Sequence, residues 1–274
     1  MNDRAGALDL DLLGVPVRLA SPSAELAARM ALCYARCLSA RESARPLEAG
    51  LSLADGRWRV SVEGRDERLE DDPIAALRAL NHELLQAVML RARQRYYVHA
   101  AVVAWRGRGI VLPGLSQAGK STLALALVLE GARFLSDEIL AVAPASGRAV
   151  PFPRAIKIRD ECTGYFPELA GQFDGSGEGR FVPFAALPDE VLAGETPVAA
   201  IAVPRWSGAE PPGLAHLSRG AALLALAESS LNFGAHRQAS LDWLADLVRD
   251  AAAVSLVWRE PRAAARALLR ELEA

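Results

Sequence analysis

Lysine is almost missing from this sequence: only Lys120 and Lys157 among its 31 basic residues are lysines, the rest being arginines. A chain that relies on arginine for solubility has little reason to spend a lysine. Each of the two therefore reads as a position needing a compact point charge, which a planar guanidinium does not supply. Cysteine is scarce too. Cys33, Cys37 and Cys162 are too few, and odd in number, for a disulfide framework, so free thiols and a cytoplasmic location are expected. Cys33 and Cys37 stand one helical turn apart, but no His or further Cys lies near enough in sequence to complete a metal set, and a buried helix face accounts for them. No apolar run approaches the ~18 residues of a membrane span, and the start MNDRAGALDLDLLG carries acids rather than a basic leader. Neither membrane span nor signal peptide is expected. A net charge of −2 and a pI of about 6.1 give no general attraction to nucleic acid or to an anionic membrane.

With 274 residues, 51% of them hydrophobic, the chain can form one large domain or one domain with a smaller partner. Leu8 to Leu19 flank Gly14 as a hairpin, and Leu26, Met30, Cys33 and Cys37 recur as a helical face after Ser21-Pro22. ARESARP (40–46) is a polar break. Leu47–Ala54 and Trp58–Val62 surround Asp55-Gly56, a strong hairpin signal. Pro73 opens a helix running to the arginine-rich Arg91–Arg95, which reads as a solvated helix end or a binding patch. Residues 1–72 thus form a small N-terminal α/β domain, with 73–274 as the main domain. Tyr96–Trp105 reads as one strand turning back through Arg106–Gly109. Strands are expected at Ala132–Leu135, Ile139–Ala143, Val150–Ile158, Pro197–Val203 and Val254–Trp258. Helices are expected from Ala221, from Ser240 and from Glu260. The fold class is α/β with a mixed sheet.

The segment Gly109 to Gly131 organises the chain. An apolar strand breaks at Pro113-Gly114, and a helix-forming run follows Lys120-Ser121-Thr122. Gly114-Leu-Ser-Gln-Ala-Gly119-Lys120-Ser121 fits the phosphate-binding P-loop pattern at every fixed position. Glycines let backbone N–H groups close around phosphate oxygens, and the helix N-terminus adds partial positive charge. Lysine reaches the outer phosphates, and Ser121 offers its hydroxyl to Mg²⁺. Gly114, Ser116, Gln117, Ala118, Gly119, Lys120, Ser121 and Thr122 are the expected nucleotide contacts. One short strand further on, Asp137-Glu138 is the leading acid pair: one carboxylate to hold Mg²⁺, the other to take a proton, or else a strand-end turn with two solvated acids. His99 either orients a phosphate or is a satisfied core group. Lys157, Arg154 and Arg159 are candidate phosphate contacts, and Asn232 and His236-Arg237 candidate acceptor contacts. GQFDGSGEGR (171–180) reads as a plain surface loop or as a lid.

His99-Ala-Ala-Val-Val, the P-loop segment and Gly131-Ala-Arg-Phe-Leu-Ser-Asp137-Glu138 together resemble the catalytic domain of the HPr serine kinase family, which shares a fold with phosphoenolpyruvate carboxykinase. The likeness covers roughly residues 96–160. It implies a P-loop core like the HPr kinase C-terminal domain, with ATP and Mg²⁺ as cofactors and transfer of the γ-phosphoryl group to a serine hydroxyl of a small protein or peptide. It also implies Lys120 on the β/γ-phosphates, Ser121 on Mg²⁺, and Asp137 as catalytic acid/base with Glu138 beside it; oligomers are common in the family. Three departures stand out. Gln117 occupies a loop position usually given to glycine, Thr122 replaces a common acid, and Lys157-Ile-Arg159-Asp160 stands where the bacterial enzymes carry a metal-binding Glu. The sequence therefore predicts a kinase acting on a hydroxyl. A nucleotide-binding regulatory module and a kinase of a small metabolite remain as alternatives.

Overall fold

The computed structural model describes residues 6–40, 43–143, 146–175, 179–236 and 238–273. Contacts divide the chain into two compact units, Met1–Arg93 and Gln94–Ala274.

In the first unit, β1 (Gly6–Leu12) and β2 (Val15–Ser21) lead to α1 (Ala24–Cys33), β3 (Leu47–Ala54), β4 (Arg57–Val62), β5 (Arg68–Glu70) and α2 (Pro73–Arg91). Both tight hairpins turn on a left-handed pair, Leu13-Gly14 (φ 58° and 79°) and Asp55-Gly56 (φ 51° and 76°). This is the turn geometry whose twist matches that of paired strands. The sheet order is β1-β2-β3-β4-β5, parallel only between β2 and β3. Helix α2 begins at Asp72, whose carboxylate accepts from the backbone N–H of Ile74 and Ala75. It buries Ala76, Ala79, Leu80, Leu84, Ala87 and Val88 and packs on β3, β4 and β5. Glu83 on that face is held by Arg65 (2.8 Å) and Arg68 (3.3 Å), and the Arg65 hydrogen bond lowers its pKa. The boundary expected at 72/73 therefore moves to 93/94, because the apolar face of α2 is covered by the first sheet. α1 is shorter than its apolar face suggested: Ser23 caps it, and Cys37 is buried in the turns beyond its end. The polar break at 40–46 lies partly outside the described residues.

The second unit opens with β6 (Tyr96–Val98), β7 (Ala100–Trp105) and β8 (Arg108–Pro113), followed by α3 (Lys120–Leu129). β9 (Arg133–Ser136), β10 (Leu140–Ala143), β11 (Arg148–Val150) and β12 (Ile156–Ile158) come next, then β13 (Arg180–Val182) and β14 (Thr196–Trp206). β15 (Gly213–His216), α4 (Arg219–Glu228), α5 (Phe233–His236), α6 (Gln238–Arg249), β16 (Ala252–Trp258) and α7 (Pro261–Glu271) close the chain. Nine strands form a mixed sheet in the order β6-β10-β11-β14-β8-β7-β9, with β16 also on β14 and β15 on β16. β8, β14 and β16 run parallel, while β7 lies antiparallel to β8 and β9. The strand expected from Tyr96 to Trp105 divides at His99, and that expected from Val150 to Ile158 divides into β11 and β12. β5, β13 and β15 are additional strands.

Ala100, Val102, Val111 and Ile201 share a core with Ala222, Leu226, Leu244 and Val248 of α4 and α6. Ala101 and Val103, which alternate with that face, are equally buried, so these strands are covered on both sides. α3 is apolar all round because it is buried all round, from Leu123 to Val128. It packs on β7, β8 and β9 and against α7. Helix α7 supplies Pro261, Ala264, Ala265, Leu268 and Leu269 at helical spacing, and its Arg262 and Arg266 meet Glu130 at the end of α3 (2.8 and 3.0 Å). Among the described residues, no helix is long and apolar enough to cross a membrane.

Candidate functional site

Strand β8 delivers the chain to Gly114, and the segment from there to Gly119 curls before α3 begins. Its backbone visits the left-handed region at Gly114 (φ 151°), Gln117 (φ 71°) and Gly119 (φ 84°). Gly119 has no room for a side chain. A Cβ there would lie 2.2 Å from the Trp258 ring, a distance real contacts do not reach. Gln117 holds its positive φ without being glycine, a conformation that a side chain adopts less readily. The first amides of α3 have no helical carbonyl to serve, which leaves donors and the positive end of the helix dipole facing the loop.

Lys120 is buried, and its ammonium donates to the carbonyls of Gly114 and Leu115, both at 2.8 Å. Burial lowers its pKa to about 8, against the opposing pull of Glu138 and Asp137. Across the cavity, β9 ends at Ser136, whose buried hydroxyl accepts from the backbone N–H of Glu138 (3.2 Å) and Ile139 (3.1 Å). This turn fixes Asp137 and Glu138 side by side. Asp137 accepts from the backbone N–H of Lys157 at 3.0 Å. Although part of its surface is exposed, protein closely surrounds the carboxyl, and burial together with the neighbouring Glu138 pushes it up to about 7. Glu138 takes a charge-assisted bond from Arg154 (2.8 Å), a residue only 7% exposed.

His99 sits in the break between β6 and β7, with Nδ1 3.0 Å from the Glu138 carbonyl. A carbonyl only accepts, so Nδ1 carries the proton. Burial and the nearby Lys120 lower the imidazole pKa. In its neutral form the remaining nitrogen accepts, a match for a hydroxyl or ammonium proton rather than for a bare phosphate oxygen.

These groups line one cavity of about 520 Å³, which lies in the range of small-molecule sites. It brings together His99, Ser116, Gln117, Gly119, Lys120, Ser121, Thr122, Asp137, Glu138, Lys157 and Arg159. Gly114 and Ala118 belong to the loop without lining the cavity. Arg154 stands behind Glu138 rather than at the wall, so it positions an acid instead of meeting a ligand. Asn232 is structural: its amide bridges the Tyr97 N–H and the Arg95 carbonyl, both at 2.9 Å. His236 packs on Trp243, with ring centroids 5.0 Å apart, and Arg237 lies outside the described residues. Of the loop 171–180, residues 176–178 lie outside the described residues; Asp174 and Phe181 are bridged by paired backbone bonds (2.9 and 2.8 Å). The sequence reading missed Ile158, Glu161, Cys162, Tyr165, Trp206 and Trp258, which complete the cavity wall.

Among the described residues, no three His, Cys, Asp or Glu side chains converge as a metal cage. The oxygens available, those of Ser121, Asp137 and Glu138, are the hard donors Mg²⁺ takes when phosphates supply the remainder of its shell.

No protein-family model matches the chain, and neither does any curated protein. Among solved structures it is similar to the HPr(Ser) kinase/phosphatase from Coxiella burnetii, at 12% identity over 65% of this chain and 99% of that one. The TM-score of 0.33 marks a distant structural relationship, and nothing about activity follows from a likeness that low.

Proposed function

We propose that this chain is an ATP- and Mg²⁺-dependent kinase that transfers the γ-phosphoryl group to a hydroxyl, most simply a serine, of a small protein or peptide. The observation that carries this reading is one cavity holding a buried lysine at a glycine-turned helix N-terminus and, facing it, a carboxyl whose pKa of about 7 suits a general base. The charge of Lys120 and the amides leading into α3 would hold the triphosphate. Ser121 and Glu138 would hold Mg²⁺, which neutralises charge on the phosphates when bound. Asp137 would accept the proton of the attacking hydroxyl as its oxygen bonds to phosphorus and the bond to the ADP oxygen breaks. Glu138, ion-paired with Arg154 at 2.8 Å, is held in place beside Asp137. Lys157 and Arg159 stand on the same wall, where an anionic part of either substrate would meet them. The peptide acceptor rests on the family resemblance alone.

The test is a pair of variants assayed with labelled ATP and candidate peptides. Asp137→Asn should retain Mg-ATP binding and lose transfer by at least about a hundredfold, the usual scale for a removed general base. Lys120→Ala should weaken both. Undiminished transfer by Asp137→Asn would remove that residue from the mechanism, and tight nucleotide binding with no phosphorylated product would return the regulatory-module reading.

A further inference from the structure

Three parallel strands, β8, β14 and β16, end on the same edge of the central sheet. The phosphate loop follows the first of them; Trp206 ends the second and Trp258 the third, paired in register. Ligands of open α/β sheets collect at the carboxyl ends of strands, and here that edge carries phosphate-binding features at one strand and large aromatic rings at the two beside it. Register partners on parallel strands point to the same side, and Trp258 lies against Gly119. Trp206 therefore projects on the side of the loop, about one strand spacing from Trp258.

The two rings differ in a telling way. Trp258 is 2% exposed and stacks edge-on with Tyr165 at 6.4 Å, and its indole N–H has no hydrogen-bond partner among the described residues. Trp206 is 52% exposed, yet its surroundings are braced. The Ser207 N–H donates to the Trp258 carbonyl (3.0 Å), and the Arg259 guanidinium holds the carbonyls of Ser207 (3.2 Å) and Ala209 (2.9 Å). The Ser207 hydroxyl accepts from the Ala209 and Glu210 amides (3.3 and 2.9 Å). An exposed indole on a fixed base is a flat surface prepared in advance for another flat surface.

Resting on the kinase reading above, we propose that Trp206, with Tyr165 and Trp258 behind it, is the platform on which the nucleobase of the bound nucleotide stacks. Every base has a π-face, so such a platform selects a nucleotide over bare polyphosphate and is tolerant of which purine it carries.

Calorimetric titration of the full chain with Mg-ATP, Mg-GTP and Mg-tripolyphosphate tests this. Trp206→Ala should weaken both nucleotides by about tenfold, the low end for loss of an aromatic stack, and leave tripolyphosphate affinity unchanged. Trp206→Phe should recover most of the loss, which a role in merely shaping the strand end would not allow. Parallel weakening of nucleotide and tripolyphosphate, unchanged nucleotide affinity, or a rise confined to the KM of the peptide acceptor would each overturn the platform. Lys120→Ala separates the two proposals. If it abolishes nucleotide binding while Trp206→Ala leaves it intact, the platform falls and the kinase reading stands; if the chain binds no polyphosphate at all, both fall.

Discussion

Burial acts on Asp137 and Lys120 in opposite directions and brings both towards neutrality. Removing water disfavours whichever form is charged, so the carboxyl holds its proton up to about 7 and the ammonium loses its own at about 8. The catalytic roles proposed for them need the reverse states, a deprotonated Asp137 and a protonated Lys120. kcat/KM reports the free enzyme, so it should rise as pH passes about 7 and fall as pH passes about 8, a narrow bell with its maximum between. A pH profile of ATP binding separates the limbs: affinity should drop only on the alkaline side, where Lys120 loses its charge. A flat kcat/KM from pH 6 to 9 would mean that neither group has the assigned role. Burial lowers the His99 pKa from its usual value, so its titration falls on the acid side of the Asp137 limb.

Strand ends, more than side chains, set the geometry of the acid pair. β9 stops where Ser136 turns its hydroxyl onto the two following amides, and β12 brings the Lys157 N–H to the Asp137 carboxylate. Ser136→Ala should therefore lower kcat by about tenfold or more, because reacting groups displaced by an ångström lose that much, with little change in KM for ATP. Steady-state kinetics beside a melting curve check it, and an unchanged kcat would show that the strands alone suffice. The parts of this arrangement visible in the sequence are the local ones. Leu13-Gly14, Asp55-Gly56 and the glycines around Lys120 announce their turns within a few residues, and the β9 turn follows α3 closely. What joins distant strands left no such trace. β14 takes partners from β8, β11 and β16, so nothing in the spacing of Trp206 and Trp258 told that their rings share a wall. Tyr96–Trp105 reads as one strand because the break at His99 comes from the Ser229 carbonyl, which takes the His99 N–H at 2.7 Å from far along the chain. Arg154 reads in the sequence as a phosphate contact, since its acid partner Glu138 is known only once β9 and the segment after β11 are in place.

At the scale of the whole chain, the cavity belongs to one unit. Its lining begins at His99 and ends at Trp258, all beyond the division between Arg93 and Gln94. The second unit has its own core on both faces of the nine-stranded sheet, and α2, the element just before the division, spends its apolar face on the first sheet instead. A domain with a complete core and a complete site needs no other part to hold nucleotide. A chain of residues 94–274 should accordingly fold by itself, melt cooperatively, and bind Mg-ATP with the affinity of the full protein to within about threefold, under 1 kcal/mol. Peptide transfer by the same fragment then assigns the first unit. Full activity would make residues 1–93 dispensable for the reaction, whereas normal ATP binding with a raised KM for peptide alone would give that unit the acceptor. A fragment that fails to fold, or folds without binding nucleotide, would show that the site depends on the first unit and that the division at 93/94 separates contacts but not function.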